Sequence, residues 1–267
     1  KGQEFCLILD KTYLWKQKVD GEIQQIYVNK NGYVAIVTTD TTYKSIITLY
    51  DSNGKQLLRN FMSSTRVIDV SISNDNKYLA FAEMDTSGTL IKSTIKIISV
   101  EKASTNSNQA IVYSKEAGTS EMIVKIQYQE KDDLICVYDD VVKAIKENEE
   151  SEAVSKDDTM TFVSGNLNNS VAYIKEEQKG IFDSSSTLNI KNTTNNQEYK
   201  YNFDEIAKEM YTYGNIIGIN IGTEMYFVNT NGMLIKKYVA KQEITNVMMS
   251  NNLAIIIYKD RIEIVNL

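Results

Sequence analysis

Val67-Ile68-Asp69-Val70-Ser71-Ile72-Ser73, then Asn74-Asp75-Asn76, then Lys77-Tyr78-Leu79-Ala80-Phe81-Ala82 reads as two strands joined by a turn. The first run is β-branched and alternates, the period of a half-buried strand. The second is a short apolar run, too short for a helix and suited to a strand buried on both faces. Asn and Asp between them supply turn conformations. After a loop, Ser93-Thr94-Ile95-Lys96-Ile97-Ile98-Ser99-Val100 gives a third strand.

The apolar strand after the turn serves as a marker for the rest of the chain. It recurs near Phe5, Tyr33, Tyr78, Leu134, Val171, Ile216 and Leu253, a mean spacing of about 41 residues, the size of a four-stranded propeller blade. A strand precedes the marker in the last six copies, at 23–29, 67–73, 122–127, 159–163, 209–213 and 244–250. A hairpin partner follows each marker, at 12–16, 45–50, 93–100, 141–145, 187–190, 224–229 and 261–265. More polar fourth strands follow at 55–61, 198–203 and 233–239, as suits an exposed blade edge that must resist edge-to-edge pairing.

These patterns predict an all-β fold: one β-propeller domain over residues 1–267, with seven blades the first reading, six with an N-terminal hairpin the second, and eight within range. A ring must fasten where its ends meet. Residues before about Lys18 are therefore expected to share a sheet with residues after about Ile244, or to form the directly adjacent blade. Helical signals are few. Residues 139–153 read either as a charged helix or as a hairpin around Asp139-Asp140, and residues 204–210 as one helical turn capped by Asp204.

The composition narrows the chemistry. The chain has no His and no Pro, 29 Lys and Arg against 35 Asp and Glu, a net charge of −6 and a pI near 5.0. Without His, Ser-His-Asp and Cys-His catalysis and imidazole metal ligation are out of reach. The acidic balance argues against nucleic-acid binding, which needs a basic stripe. The longest apolar run, Leu253-Ala254-Ile255-Ile256-Ile257-Tyr258, is far short of the roughly 20 residues of a membrane span. With no Pro, turns fall to Asn31-Gly32, Asn53-Gly54, Asn231-Gly232 and Asp20-Gly21. Cys6 and Cys136 lie in apolar marker strands and are expected to be buried, unpaired thiols. The chain opens on Lys1, which reads as the trimmed soluble part of something longer, following a signal peptide or a membrane anchor.

Residues 32–55, from Gly32-Tyr33-Val34-Ala35 to Asp51-Ser52-Asn53-Gly54-Lys55, together with residues 70–80, resemble blades of WD40-like and quinoprotein-like propellers. Together they are similar to an uncharacterised propeller family of Gram-positive bacteria, a domain of unknown function. That resemblance implies an exported or membrane-anchored propeller facing the outside of the cell. It carries over no functional residue. The chain lacks the Gly-His and Trp-Asp signatures, Trp15 is not followed by Asp, and no Trp docking motif recurs from blade to blade, so a bound quinone or other cofactor is not expected.

Candidate chemistry must come from loops and from the innermost strands. Asp40, Asp69 and Asp85 are the carboxylates that could work in pairs on a glycoside. Asp51-Ser52-Asn53-Gly54 begins like a calcium loop but lacks the later acids, and reads as a turn. The best binding candidates are Tyr43 and Phe182, aromatics in loops after marker strands, and Arg66, just before an inner strand. No metal site is expected. The reading that follows is a non-catalytic, extracytoplasmic propeller that binds a protein or glycan partner, with a carbohydrate-active enzyme as the alternative.

Overall fold

The computed structural model describes residues 2–105, 109–119, 121–164, 167–178, 184–250 and 252–267. The chain divides into two compact units. Unit 1 is Lys1–Tyr128 with Asp132–Glu152, and unit 2 is Gln129–Lys131 with Ala153–Leu267.

Unit 1 begins with a two-stranded sheet of β1 (Glu4–Leu9) and β2 (Thr12–Lys18). Sheets of four follow. The first is β3 (Glu22–Val28), β4 (Val34–Thr39), β5 (Ser45–Tyr50) and β6 (Gln56–Met62). The second is β7 (Thr65–Ile72), β8 (Tyr78–Asp85), β9 (Lys92–Ser99) and, after helix α1 (Val100–Thr105), β10 (Ile111–Glu116). The third is β11 (Ile123–Tyr128), β12 (Leu134–Tyr138), β13 (Val141–Lys146) and β14 (Glu149–Ser155), whose last residues belong to unit 2.

Unit 2 continues with β15 (Met160–Ser164), β16 (Ser170–Gln178), β17 (Ser184–Asn192) and β18 (Glu198–Phe203). Then come β19 (Glu209–Tyr213), β20 (Ile216–Ile221), β21 (Glu224–Asn229) and β22 (Leu234–Val239). A sheet of three, β23 (Asn246–Met249), β24 (Leu253–Ile257) and β25 (Ile262–Asn266), ends the chain.

Each sheet is antiparallel, with strands in chain order, and each of the seven marker strands falls in a different sheet. The marker is the second strand of every sheet except the hairpin, where it is the first. In three sheets, as β4, β12 and β20, it is buried almost throughout.

The turns follow one recipe three times. Asn29, Asp51 and Asn229 each offer a side-chain oxygen to the N–H groups two and four residues on, and Gly32, Gly54 and Gly232 then take φ of 76°, 80° and 75°. The side chain mimics a backbone turn and Gly supplies the left-handed step. The Asp51 carboxylate is therefore a turn former, as expected.

The apolar cores lie between consecutive sheets. In unit 1, Phe5 with Val34, Ile36 and Tyr50 joins the hairpin to β3–β6, Leu49 and Phe81 join β3–β6 to β7–β10, and Ile95 and Ile126 join that sheet to β11–β14. In unit 2, Leu188 and Ile219 lie between β15–β18 and β19–β22, and Phe227 and Ile256 between β19–β22 and β23–β25. Buried serines add polar stitches to this packing. The backbone N–H of Val67 donates to Ser45 Oγ at 3.0 Å, Ile123 N–H to Ser93 Oγ at 3.1 Å, and Ala207 N–H to Ser186 Oγ at 2.8 Å. Each serine opens or nearly opens the third strand of a sheet, and each donor lies on or just before the first strand of the next. The hydroxyl satisfies an N–H that the sheet's own ladder leaves open.

Some expectations change. The strands at the chain ends lie in separate sheets, β1 with β2 and β23–β25 by themselves, in place of a shared one. Asp10 and Lys11 take φ of 48° and 66°, a two-residue turn of the kind that closes hairpins, so β1 meets its partner at minimal loop-closure cost. Residues 139–153 form the β13–β14 hairpin, turned at Glu147 and Asn148 with φ of 49° and 68°, and not a helix. The helical turn at 204–210 is absent, because β19 already begins at Glu209 and pairs with β20. Cys6 is exposed while Cys136 is buried, and both are free thiols. On β1 it is Phe5 that turns to the core, so its neighbour Cys6 faces away.

Candidate functional site

One end of unit 1 gathers the turns 40–44, 63–64 and 86–91. The pairs Ser45↔Met62, Thr65↔Asp85 and Asp85↔Lys92 put the strand ends flanking these turns level within each sheet. Lys44 Nζ donating to Ser64 O at 2.9 Å, with the Ser45–Val67 stitch, brings the two sheets' turns to the same end.

Tyr43 is placed by Asp40. The Asp40 carboxylate accepts the N–H groups of Thr42 and Tyr43, both at 2.7 Å, which folds the turn and lays the Tyr43 ring 4.8 Å from that of Phe61. Phe61, on β6, is 47% exposed. Arg59 lies two residues earlier on the same face of that strand, its guanidinium 5.1 Å over the Phe61 ring and 3.7 Å from Asp20. Tyrosine, phenylalanine and arginine thus form a short ladder, a cation over an aromatic face. The Arg59 Nε is buried with no hydrogen-bond partner.

Arg66 is exposed on β7, between half-buried Thr65 and buried Val67, and makes no ion pair among the described residues. Beneath it, Thr65 donates its hydroxyl to Glu83 at 2.8 Å, and Lys96 closes on the other Glu83 oxygen at 2.5 Å. This buried acid is paired on both oxygens, as burial of a charge requires. The loop between β8 and β9 carries Leu90 and Ile91, 61% and 56% exposed. Phe182 lies outside the described residues. The structure therefore brings Tyr43 and Arg66 to one end of unit 1 and adds Arg59, Phe61, Leu90 and Ile91, to which sequence reasoning gave no weight. The Leu-Ile pair directly after the polar stretch Thr86-Ser87-Gly88-Thr89 was the available signal.

Each of the three carboxylates considered for catalysis holds backbone in place. Asp40 folds its own loop. Asp85 accepts the Ser87 N–H at 2.8 Å, and the Ser87 hydroxyl, then its N–H, hold the carboxyl below the usual carboxylate range. Asp69 lies on β7, where Oδ2 accepts the Ile126 N–H from β11 at 2.8 Å and Oδ1 the Val70 N–H at 3.0 Å. Burial pushes the Asp69 carboxyl up, opposed by the Ile126 N–H, the Tyr27 hydroxyl and the Val70 N–H. Burial likewise lowers the Lys125 amine on β11 and raises the Tyr27 phenol on β3. Tyr27, Asp69 and Lys125 thus form a polar seam across three first strands of unit 1. Among the described residues, no group of three or more acidic or thiol side chains is placed to hold a metal. Nor is any helix among them long and apolar enough to cross a membrane.

Comparison with known proteins gives a family and a fold. The chain belongs to the family of unknown function DUF5711, whose model matches residues 1–267. No curated protein matches it. Among solved structures it is similar to Hsv2 of Kluyveromyces lactis, at 11% identity, TM-score 0.60, 91% of this chain and 74% of that one. It is also similar to the β-propeller domain of the Trilobed protease from Pyrococcus furiosus, described as having an open velcro topology, at 13% identity, TM-score 0.59, 92% and 83%. A third is the Pan2 WD40 domain of Neurospora crassa, at 10% identity, TM-score 0.53, 91% and 75%. At such identities the likeness establishes the β-propeller fold alone.

Proposed function

We propose that this DUF5711 propeller is a non-catalytic interaction module that takes a partner on the 40–44, 63–64 and 86–91 end of unit 1. The observation that carries the reading is the exposed pair Leu90 and Ile91 on the same end as the Tyr43–Phe61–Arg59 ladder and exposed Arg66. Aromatic and arginine anchors are the composition of interaction hot spots, and the exposed aliphatic pair beside them adds apolar area for a partner to cover. The aliphatic tip favours a protein over a glycan, because sugars stack on aromatic faces and give little to Leu or Ile. The engagement of Asp40, Asp69 and Asp85 with backbone N–H groups speaks against the carbohydrate-active alternative. Placement outside the cell belongs to the proposal and rests on the resemblance alone.

The test uses a photo-crosslinking amino acid at Leu90, in cells that make the protein naturally, with the same probe at exposed Val239 as control. A discrete protein adduct from Leu90 alone, lost in Arg66→Ala and Ile91→Ser, is expected. Equal adducts from both positions would contradict the reading. So would glycoside turnover abolished by Asp69→Asn or Asp85→Asn, and an adduct competed away by free glycans would move the partner to that class. For placement, a membrane-impermeant maleimide should label exposed Cys6 on intact cells. Labelling only after lysis would overturn it.

A further inference from the structure

We infer that Lys125 captures small aldehydes covalently, as an imine, in the seam it forms with Tyr27 and Asp69 on the first strands of unit 1. The site is separate from the turns proposed to take a partner and does not depend on them.

Three consecutive first strands share one irregularity. β3, β7 and β11 each end their sheet, and each bulges by one residue, at Gln24, Ile68 and Val124. A bulge in an edge strand re-aims the side chain beside it. The residues that follow directly are Gln25, Asp69 and Lys125, an amide, a carboxyl and an amine at equivalent positions. Gln25 Nε2 donates to Ile68 O at 3.2 Å, and Asp69 Oδ2 accepts the Ile126 N–H at 2.8 Å, so these two each reach the next first strand. The Tyr27 hydroxyl donates to Gln25 Oε1 at 2.8 Å and lies against the Asp69 carboxyl.

Lys125 is the member left over. It is half-buried, yet its amine makes no hydrogen bond or ion pair among the described residues. The other half-buried lysines of unit 1 are all engaged, Lys44 on Ser64 O, Lys96 on Glu83 and Lys143 on Glu121. Asp69 acts on Lys125 through its charge alone, its own oxygens having accepted the Ile126 and Val70 N–H groups. An ammonium without a partner is disfavoured away from water. Burial accordingly lowers the Lys125 amine, with Asp69 opposing. More of it is therefore free base at neutral pH than of an exposed lysine, and the free base is the form that attacks a carbonyl carbon.

The reaction needs only the amine and the carbonyl. The nitrogen lone pair forms a C–N bond to the aldehyde carbon, both amine protons leave with the carbonyl oxygen as water, and C=N remains. Nothing is oxidised or reduced, and the one leaving group is water, which needs no site of its own. The imine also removes the unpaired ammonium from the seam. The half-buried position of the amine restricts it to small aldehydes.

The experiment incubates the purified chain with propionaldehyde, adds cyanoborohydride as the reductant that fixes any imine, and reads propylation of each lysine by peptide mass spectrometry across pH. At neutral pH Lys125 should be modified about fivefold faster than exposed Lys30 and Lys55, and its rate should level off at lower pH than theirs. Asp69→Asn removes the opposing charge and should move that rise to still lower pH. Should that variant unfold, Tyr27→Phe replaces it: it withdraws a hydroxyl that favours the charged carboxyl, and should move the rise the same way by less. Modification of Lys125 no faster than that of Lys30 and Lys55, a rise at the same pH as theirs, or a profile unmoved in the folded variant would each overturn the proposal.

Discussion

Ser93 and Ile123 belong to different sheets of unit 1, yet the Ile123 N–H donates to the Ser93 hydroxyl at 3.1 Å, with both residues essentially excluded from water. Ser45 with Val67 and Ser186 with Ala207 repeat the relationship. Removing the acceptor strands a buried N–H, which costs about 1–3 kcal/mol. Ser93→Ala should therefore lower unfolding free energy in urea by that amount, and Ser45→Ala by a similar one. Unchanged urea midpoints would show that the hydroxyls are incidental.

The N-terminal hairpin is docked structure. Phe5 and Trp15 pack edge to face at 5.5 Å, both lie within about 6 Å of the Tyr50 ring, and Trp15 Nε1 donates to Ser52 O at 2.9 Å. Deleting residues 1–18 should lower the melting temperature cooperatively. The native emission of Trp15, the single tryptophan, should be blue-shifted until unfolding. A deletion that leaves the melting temperature unchanged would refute the docking.

Gly54 makes that docking possible. It sits at φ +80°, and a Cβ there would lie 2.9 Å from the Trp15 ring. Gly54→Ala should destabilise by more than the roughly 1 kcal/mol of a left-handed alanine, with a shift in Trp15 emission. Truncating the ring as well, in Trp15→Leu, should recover the steric part of the loss. Equal cost of Gly54→Ala in both backgrounds would deny the contact.

The thiols should differ. One equivalent of thiol reagent should react with the native protein, at Cys6, and a second only after unfolding, because Cys136 is enclosed and burial pushes its thiol up. Fast reaction of both would contradict the β12 packing.

Burial raises the Asp69 carboxyl, so the native state holds that proton to higher pH than the unfolded chain does. This contribution to stability is fully present below the unfolded value of about 3.9 and is lost as pH rises through the folded value. Asp69→Asn should flatten that part of the stability profile above about pH 4. Identical slopes for the two proteins would show that Asp69 is not desolvated.

The repeat was legible because marker strands are continuous apolar runs and their turns use Asn-Gly and Asp-Gly. Strand β14 was not, since Glu149-Glu150-Ser151-Glu152 has the character of an exposed edge and no apolar period. Cys6 was misplaced because a single apolar run does not say which of its faces is covered. Asp69 reads from the sequence as a candidate catalytic carboxylate, whereas in the structure its carboxylate accepts the Ile126 N–H from the next first strand, a partner 57 residues away that no local pattern reveals. Tyr43 stands out by its loop and Arg66 by its place at the start of an inner strand, while Leu90 and Ile91 come beside the 40–44 and 63–64 turns only through the fold.

The central claim is that each repeat is a separate sheet, and that at three junctions within the two units polar side chains stitch one sheet to the first strand of the next, or to the residues just before it. Residue-resolved native-state hydrogen exchange tests it most directly. The account predicts that the amides of Val67, Ile123, Ile126, Tyr128 and Ala207 exchange as slowly as those inside β8 and β20, because Ser45, Ser93, Asp69, Ser71 and Ser186 accept them. Exchange of these five at the rate of exposed loop amides, with β8 and β20 still protected, would contradict it.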